Sequence, residues 1–179
     1  MAHYQQRIFV EFIKSRFPEY FGNVSVIEIG SLDINGTVRD FFDNCAYLGV
    51  DVGLGPGVNF ISEGQNLTFS DNCFDVAISV ECFEHNPFWL ETFINMHRMA
   101  KSFVLFTCAS NGRPEHGTTR TDSYSSPLTG EWNYYKNLDE EDFTSNLSLG
   151  ELFSSYEFFY NKVTCDLYFW GLKQTTSKL

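Results

Sequence analysis

Two acidic residues in the first third of the chain occupy positions suited to binding a nucleoside. Glu28 lies in the apolar run of residues 24–29, which ends at Gly30, and Asp51 closes the next apolar run, residues 47–51. In an open α/β sheet, ligands bind beyond the carboxyl ends of the strands. An ionised carboxylate has two acceptor oxygens and can accept hydrogen bonds from both hydroxyls of a ribose. We therefore expect Asp51 to be a ribose ligand.

The turn after the first apolar run lacks the glycine pattern of dinucleotide-binding enzymes. No glycine occurs between Gly30 and Gly36, so the fingerprint G-x-G-x-x-G is absent. A pyrophosphate is therefore not the expected ligand, and a nucleoside without a pyrophosphate indicates S-adenosylmethionine. A nicotinamide-dependent oxidoreductase is a weaker alternative for the same reason.

Three stretches, taken in order, resemble a small class I S-adenosylmethionine-dependent methyltransferase. They are residues 28–39 (EIGSLDINGTVR), residues 47–61 (YLGVDVGLGPGVNFI) and residues 67–99, which include VAISVECFEH. The resemblance covers most of the chain, and its specificity comes from the ordered set. It implies an α/β, three-layer Rossmann-like methyltransferase fold, with S-adenosylmethionine as the cofactor.

The resemblance also assigns cofactor contacts to individual positions. Glu28, Gly30 and Ser31 fall in the turn that holds the methionine end of the cofactor, and Glu81 falls near the transferred methyl group. Glu63 stands where the family usually has an aspartate that binds the adenine amino group. The expected cofactor-binding residues are Glu28, Gly30, Ser31, Asn35, Gly36, Asp51, Val52, Glu63, Gly64 and Glu81.

Two histidines are candidates for a general base, the role that histidine fills most often. His85 follows Glu84 directly after the fourth apolar run, and His116 follows Glu115 in a polar segment. A neighbouring carboxylate can tune the pKa of a histidine toward neutrality. Structural roles are the alternative for both: local packing for His85 and a loop-stabilising hydrogen bond for His116.

Residues 109–136 form a long segment rich in Ser, Thr, Gly, Pro and Tyr, with neither helical nor alternating periodicity. Loops of this length in a single domain are usually functional or disordered. Since the segment follows the fifth strand, we interpret it as a substrate lid. Its candidate substrate-binding residues are Arg113, Arg120, Tyr124, Tyr134 and Tyr135, with solvated arginines and lid packing as the alternatives.

The apolar periodicity predicts the elements that position these residues. We expect a mostly parallel seven-stranded sheet that ends in an antiparallel hairpin. Predicted strands cover residues 24–29, 45–52, 58–61, 74–80, 103–108, 156–160 and 163–172. Predicted helices cover residues 4–17, 36–43 with Asn35 as the cap, and 87–100 with Leu90, Phe93, Ile94 and Met96 facing inward, and another begins at Asp139.

Composition restricts the class of protein. The 179 residues suit one domain, residues 1–179, with an N-terminal helix within residues 1–18. A net charge of −11 argues against binding to nucleic acid or to anionic membranes. The five cysteines are odd in number and never in C-x-x-C spacing, which disfavours disulfides and structural zinc. The carboxylates and histidines also show no metal-ligand spacing such as H-x-x-x-H.

The sequence thus predicts a cytoplasmic methyltransferase that acts on a small-molecule or glycan acceptor. The acceptor class follows from the negative charge and from the polar, aromatic lid. A non-catalytic nucleoside-binding or scaffold protein on the same fold is the main alternative, since fold does not imply function. The aromatic N-terminal helix could support a homodimer.

Overall fold

A computed structural model describes residues 3–174 of the chain as four helices and seven strands, joined by 3₁₀ turns and loops. The helices are α1 (Tyr4–Arg16), α2 (Trp89–Met99), α3 (Glu140–Thr144) and α4 (Leu149–Leu152). The strands are β1 (Ser25–Ile29), β2 (Ala46–Asp51), β3 (Phe60–Ile61), β4 (Phe74–Val80), β5 (Ala100–Ala109), β6 (Phe153–Asn161) and β7 (Asp166–Lys173).

The seven strands form one sheet in the order β3-β2-β1-β4-β5-β7-β6. The first five strands pair in parallel, and β7 runs antiparallel to both β5 and β6. The predicted mostly parallel sheet with a C-terminal antiparallel hairpin is confirmed. Because β1 lies between β2 and β4, the strand order reverses at β1, which is where α/β sheets bind ligands.

Alternate side chains of the strands supply two separate cores, one on each face of the sheet. On β1, Val26 faces the layer that contains α1, whereas Ile27 and Ile29 face the layer that contains α2. α1 buries Phe9 and Ile13 in the first core. Helices therefore cover both faces, and the predicted three-layer arrangement is confirmed.

The prediction of a helix over residues 36–43 is wrong. Only a 3₁₀ turn, Arg39–Phe41, occurs between β1 and β2. The carboxylate of Asp33 accepts a hydrogen bond from the Gly36 amide at 2.9 Å, and Gly36 adopts a φ of 145°. These local bonds and the positive φ stabilise a turn that competes with a helix. Asn35 consequently caps no helix, and its exposed amide lies 3.4 Å from His3 Nδ1.

α2 follows its predicted position closely but not its predicted inward face. Phe93 and Met96 are buried as expected, whereas Ile94 is 45% exposed. The buried stripe also includes Asn95, whose amide donates to the carbonyls of Gly64 and Leu67. A polar residue thus occupies an inward position because it binds the backbone of the preceding loop, and Ile94 falls outside the stripe.

The C-terminal third contains the predicted helix start and hairpin, but β7 begins at Asp166 rather than at residue 163, and α4 was not predicted. α3 begins with a capping box in which Asp139 and Asp142 each accept the other's backbone amide. β6 and β7 pair along their length as a hairpin. Among residues 3–174, no helix is long and apolar enough to cross a bilayer.

The two α2 residues with opposite exposure give a test of the packing. Phe93 is fully buried against rings from α3, β5, β6 and β7. We expect Phe93→Ala to lower the free energy of unfolding by about 3–5 kcal/mol, because it leaves a cavity in the core. The matched control, Ile94→Ala, should cost about 1 kcal/mol or less. Urea denaturation measures both values, and equal losses would contradict the assigned helix face.

Candidate functional site

The carboxyl ends of β1, β2 and β4 open into one crevice beside the lid. Its walls include Gly30 after β1, Asp51 at the end of β2 and Glu81 after β4. These residues come from neighbouring strands at the point where the strand order reverses. The structure therefore brings together three of the residues singled out in the sequence.

Asp51 is held in place by two backbone amides. Its Oδ2 accepts from the amide of Leu32 at 3.0 Å, and its Oδ1 accepts from the amide of Val52 at 2.8 Å. Burial raises the pKa of Asp51, and the two amides oppose that rise. Since each carboxylate oxygen has two lone-pair sites, Asp51 keeps acceptor capacity toward the crevice.

The turn after β1 requires glycine at residue 30. Gly30 has a φ of 80°, and a Cβ built there would lie 2.5 Å from the Cβ of Cys82. The turns after β1 and β4 therefore touch. Ser31 follows with its amide bonded to the carbonyl of Val50. Its hydroxyl is buried and has no hydrogen-bond partner among residues 3–174.

Glu81 is a buried acid in an unusual backbone conformation. Its φ is 50°, which is uncommon for a residue with a side chain. One carboxylate oxygen accepts from the hydroxyl of Thr107 at 2.9 Å, while Oε2 is buried without a partner in the described part of the chain. Burial, followed by the charge of Glu84, raises the pKa of Glu81 well above its usual range. Strain and an unpaired oxygen together are typical of a functional position.

Glu28 lies apart from the crevice. Its carboxylate accepts from the hydroxyl of Tyr47 at 2.9 Å, and it does not line the crevice. Burial raises the pKa of Glu28 to about 7, opposed by the bond from Tyr47. Asn35 and Gly36 also lie outside the lining, whereas Leu32 from the same loop contributes to it.

A wider cleft of about 640 Å³ adjoins the crevice on the β2–β3 side. Val52, Glu63 and Trp132 are among its walls. The Glu63 carboxylate accepts from the side-chain amides of Gln65 and Asn66 at 2.9 and 2.7 Å. Gly64 lines a small space between the crevice and this cleft. The predicted adenine-side residues are therefore close together, with Glu63 already bonded to its own loop.

The lid covers the crevice. Residues 125–129 line its outer wall, and the free volume between them and Gly30 is about 40 Å³. The side chain of Leu128 reaches over Gly53, since a Cβ built on Gly53 would lie 2.9 Å from it. Where the lid returns to the domain, the amide of Lys136 donates to Glu84 O and that of Leu138 to Ala109 O, at 2.9 and 3.0 Å. The lid is thus anchored to the domain near Lys136 and Leu138, and its middle part, residues 125–129, packs into the crevice.

None of the five predicted substrate-binding residues lines the crevice or the wider cleft. Arg113 pairs with the buried Asp166 at 2.8 Å, and Arg120 pairs with Glu115 at 2.7 Å. The Tyr124 side chain is 85% exposed. The remaining two differ in position: Tyr134 is partly buried but does not line the crevice or the wider cleft, whereas Tyr135 packs against His85 and His116.

The two candidate bases meet. The rings of His85 and His116 are edge to face with centroids 5.0 Å apart. Burial, followed by the proximity of His116, lowers the pKa of His85 to about 3. Burial also lowers the pKa of His116, opposed by its hydrogen bond with the Pro114 carbonyl. His85 is therefore neutral at physiological pH and too weak a base to remove a proton there.

Glu84 completes this group, although the sequence prediction did not include it as a site residue. Ligating atoms of Glu84, His85 and His116 all lie within 4.8 Å of one another. The signal in the sequence was the acid next to His85 after an apolar strand. The third member, His116, comes from the irregular lid, so no spacing rule could have revealed the group.

No protein-family model matches the sequence, and no curated protein sequence matches it. Solved structures, however, share its fold. Phosphoethanolamine N-methyltransferase 2 of Haemonchus contortus, solved with phosphomonomethylethanolamine and S-adenosylhomocysteine, is 15% identical with a TM-score of 0.65. A second structure of that enzyme, at 14% identity and the same TM-score, contains S-adenosyl-L-methionine.

Two further structures extend the comparison. The CurJ carbon methyltransferase is 12% identical with a TM-score of 0.63, and the match covers 94% of this chain. The YcgJ protein of Bacillus subtilis is 12% identical with a TM-score of 0.62, covering 97% of this chain and 100% of its own. The match with the Haemonchus enzyme covers 96% of this chain. This chain spans 54% of the length of the CurJ structure and 53% of the length of the Haemonchus enzyme. It therefore has the class I methyltransferase fold.

Glu28 provides a pH test of the buried acid beneath the turn. Its pKa in the folded state, about 7, lies above the ordinary value of 4.5. The stability that it contributes is therefore fully present below pH 4.5 and is lost as the pH rises through 7. Glu28→Gln keeps a neutral hydrogen-bond acceptor for Tyr47 and has no carboxyl group to ionise, so the variant does not lose stability as the pH rises. We expect it to gain stability over the wild type between pH 5 and pH 8, by up to about 3 kcal/mol.

Urea denaturation of both proteins at the two pH values measures the gain. Glu91→Gln, on the exposed side of α2, is the matched control and should show no such change. A difference between wild type and Glu28→Gln that is the same at pH 5 and pH 8 would contradict the raised pKa.

Proposed function

We propose that this protein is an S-adenosylmethionine-dependent methyltransferase that acts on a small-molecule or carbohydrate-type acceptor. The observation that carries the proposal is the crevice where Gly30, Asp51 and Glu81 meet at the reversal of strand order. The crevice offers two carboxylates, and the turn at Gly30 lets the backbone come close to a ligand. It has no glycine-rich loop of the kind that binds a pyrophosphate. The shared fold with methyltransferases, including one solved with the cofactor, supports the same activity.

The two carboxylates of the crevice, Asp51 and Glu81, fit polar groups of the cofactor. Asp51 retains acceptor sites for the ribose hydroxyls. Glu81 Oε2, buried without a partner among the described residues, suits the amino group of the methionine end, whereas the Ser31 hydroxyl lies toward Gly49 and does not line the crevice. The cleft beside Val52 and Glu63 has room for adenine, and Trp132 offers an aromatic face there.

The lid would have to shift when the cofactor binds. The 40 Å³ beside Gly30 holds only a few water molecules. Movement of residues 125–129 away from Gly30 and Asp51 would join this space to the wider cleft. Lids of this kind exclude water from the reaction once they close again.

S-adenosylmethionine, when bound, supplies a methyl group already activated by the positive sulfur. The chain's own residues then have to position the acceptor in line and exclude water. His116 packs against His85, which lines the crevice, and its partly buried ring is the better of the two histidines to accept a proton. His85 serves as a neutral hydrogen-bonding wall beneath it. Tyr135, packed against both rings, holds them in place.

A non-catalytic nucleoside-binding protein on the same fold is the second candidate. The observation that favours it is the inserted lid, together with the two backbone amides that already occupy Asp51. Such a protein would bind the cofactor without releasing S-adenosylhomocysteine in the presence of acceptors. Turnover across a panel of hydroxyl, amine and sugar acceptors distinguishes the two.

A homodimer through α1 stays a prediction. Ile8 and Phe12 on the outer side of α1 are exposed, and they border an apolar groove formed with Phe159. This surface supports the expectation because monomeric proteins rarely expose contiguous apolar patches.

Calorimetric titration tests the proposed cofactor. We expect S-adenosylmethionine and S-adenosylhomocysteine to bind and NAD not to bind. Asp51→Asn should weaken binding roughly ten- to a hundredfold, because a charged acceptor for the ribose is lost. Asp40→Asn, at an exposed carboxylate 3.4 Å from Arg7, is the matched control and should bind like the wild type.

Two outcomes would count against the assignment. If Asp51→Asn binds S-adenosylmethionine as tightly as the wild type, Asp51 is not a ribose ligand. Binding of NAD in place of the two sulfur compounds would favour the oxidoreductase alternative.

A further inference from the structure

A group of three ligating side chains lies at the base of the lid. Glu84 and His85 come from the 3₁₀ turn after β4, and His116 comes from the lid. Glu84 Oε1 is 3.9 Å from His85 Nε2, and ligating atoms of all three residues lie within 4.8 Å of one another. His85 also lines the crevice, so the group adjoins the proposed cofactor site.

Four polar atoms in this group have no hydrogen bond. Both carboxylate oxygens of Glu84 and both ring nitrogens of His85 are buried without a partner among residues 3–174. The two residues are 0% and 3% exposed. The amides of Glu84 and Ala109 face the carboxylate but do not reach it with hydrogen-bond geometry. Because native proteins rarely leave buried polar atoms unpaired, so many in one place indicate a missing partner.

His116 is oriented as a ligand would be. Its Nδ1 lies 3.1 Å from the carbonyl oxygen of Pro114, and only a protonated nitrogen can donate to a carbonyl. In the neutral ring, Nε2 therefore carries the free lone pair. A hydrogen bond from the second ring nitrogen to a backbone carbonyl is the usual support of a metal-bound histidine. The Tyr135 hydroxyl donates to the same carbonyl and fixes the loop.

The charges around the group favour a cation. Glu84 and Glu81 are both buried acids, and after burial the charge of Glu84 contributes to the raised pKa of Glu81. No lysine or arginine in the described range forms an ion pair with either acid. Arg113, whose charge reaches His116, is already bound to Asp166 and to the carbonyl of Thr164. The charge of an ionised Glu84 therefore has no cationic side chain to balance it among the described residues, and a divalent cation would offset that charge.

We propose that Glu84, His85 and His116 bind a divalent first-row transition metal ion, such as Zn²⁺, Mn²⁺, Fe²⁺ or Co²⁺. Two imidazoles and one carboxylate suit these ions and leave coordination positions open. Bonds of about 2.0–2.1 Å in a tetrahedral site place neighbouring ligand atoms roughly 3.4 Å apart. The Glu84–His85 separation of 3.9 Å is near that value, and the ligand atom of His116 lies within 4.8 Å of both, so metal binding would draw the three atoms closer.

The role of the ion rests on the proposed methyl transfer, and in it His116 is a metal ligand and no longer the proton acceptor. An acceptor hydroxyl bound at an open position would lose its proton to water more readily, because the ion stabilises the alkoxide. The acceptor oxygen would then form a bond to the methyl carbon. The carbon–sulfur bond would break, with its electron pair staying on sulfur. This role narrows the acceptor class to molecules with a metal-binding hydroxyl.

Metal titration of the full chain tests the site without any acceptor. Protein freed of metal with a chelator and then dialysed is titrated with Zn²⁺ by calorimetry, and separately with Co²⁺ by visible absorption. We expect one ion per chain and a Co²⁺ spectrum typical of nitrogen and oxygen ligands. His116→Gln should lower the affinity at least about tenfold, the range seen even for losses of supporting residues. Because His116 is only partly buried, this variant should remain folded.

The matched control is His97→Gln, since His97 lies on α2 with its ring bonded to the carbonyl of Leu152. It should bind the ions like the wild type, and Glu84→Gln should bind more weakly. Unchanged affinity in His116→Gln, or no binding of either ion by the wild type, would overturn the proposal. S-adenosylmethionine is titrated into the same samples. Metal binding without cofactor binding would sink the methyltransferase proposal and leave the metal site standing.

Discussion

The close contact between the turns after β1 and β4 is the constraint on which the candidate site depends. Gly30 lies against Cys82 with no space for a Cβ. This contact places the Leu32 amide over Asp51 on one side and sets Glu81 and the turn of Glu84 on the other. Parallel pairing alone aligns the strand ends, but the absence of one side chain allows their loops to share a single crevice.

Buried acids occur on both faces of this region, and each is accommodated differently. Glu28 accepts a hydrogen bond from Tyr47, and Glu81 accepts one from Thr107, while Glu84 accepts none from the described residues. Burial raises the pKa of all three carboxyls. The first acid is therefore explained by packing inside the domain. The third has no partner among residues 3–174, and the proposed metal ion would supply one.

The sequence was sufficient for the sheet because strands such as β4 are nearly continuous apolar runs that only a doubly covered strand explains. It was insufficient where short-range side-chain bonds decide the structure, as with the Asp33–Gly36 turn in place of a helix. Asp51 could be placed from its position at a strand end. The proximity of Glu84 to His116 could not be predicted, because the path of an irregular loop leaves no periodic pattern in the sequence.

The lid, fixed at Lys136 and Leu138 but inserted over Gly53, has a thermodynamic consequence for every ligand of the crevice. Under the proposed opening of the lid, only the fraction of molecules with residues 125–129 withdrawn would be competent to bind, so the apparent affinity would be the intrinsic affinity reduced by that fraction. If the withdrawn form were roughly 1% of the population, binding would weaken about a hundredfold. A first ligand that holds the lid open would increase the affinity for the second ligand. The cofactor and the acceptor would then bind cooperatively through the lid, even if they do not contact the same lid residues.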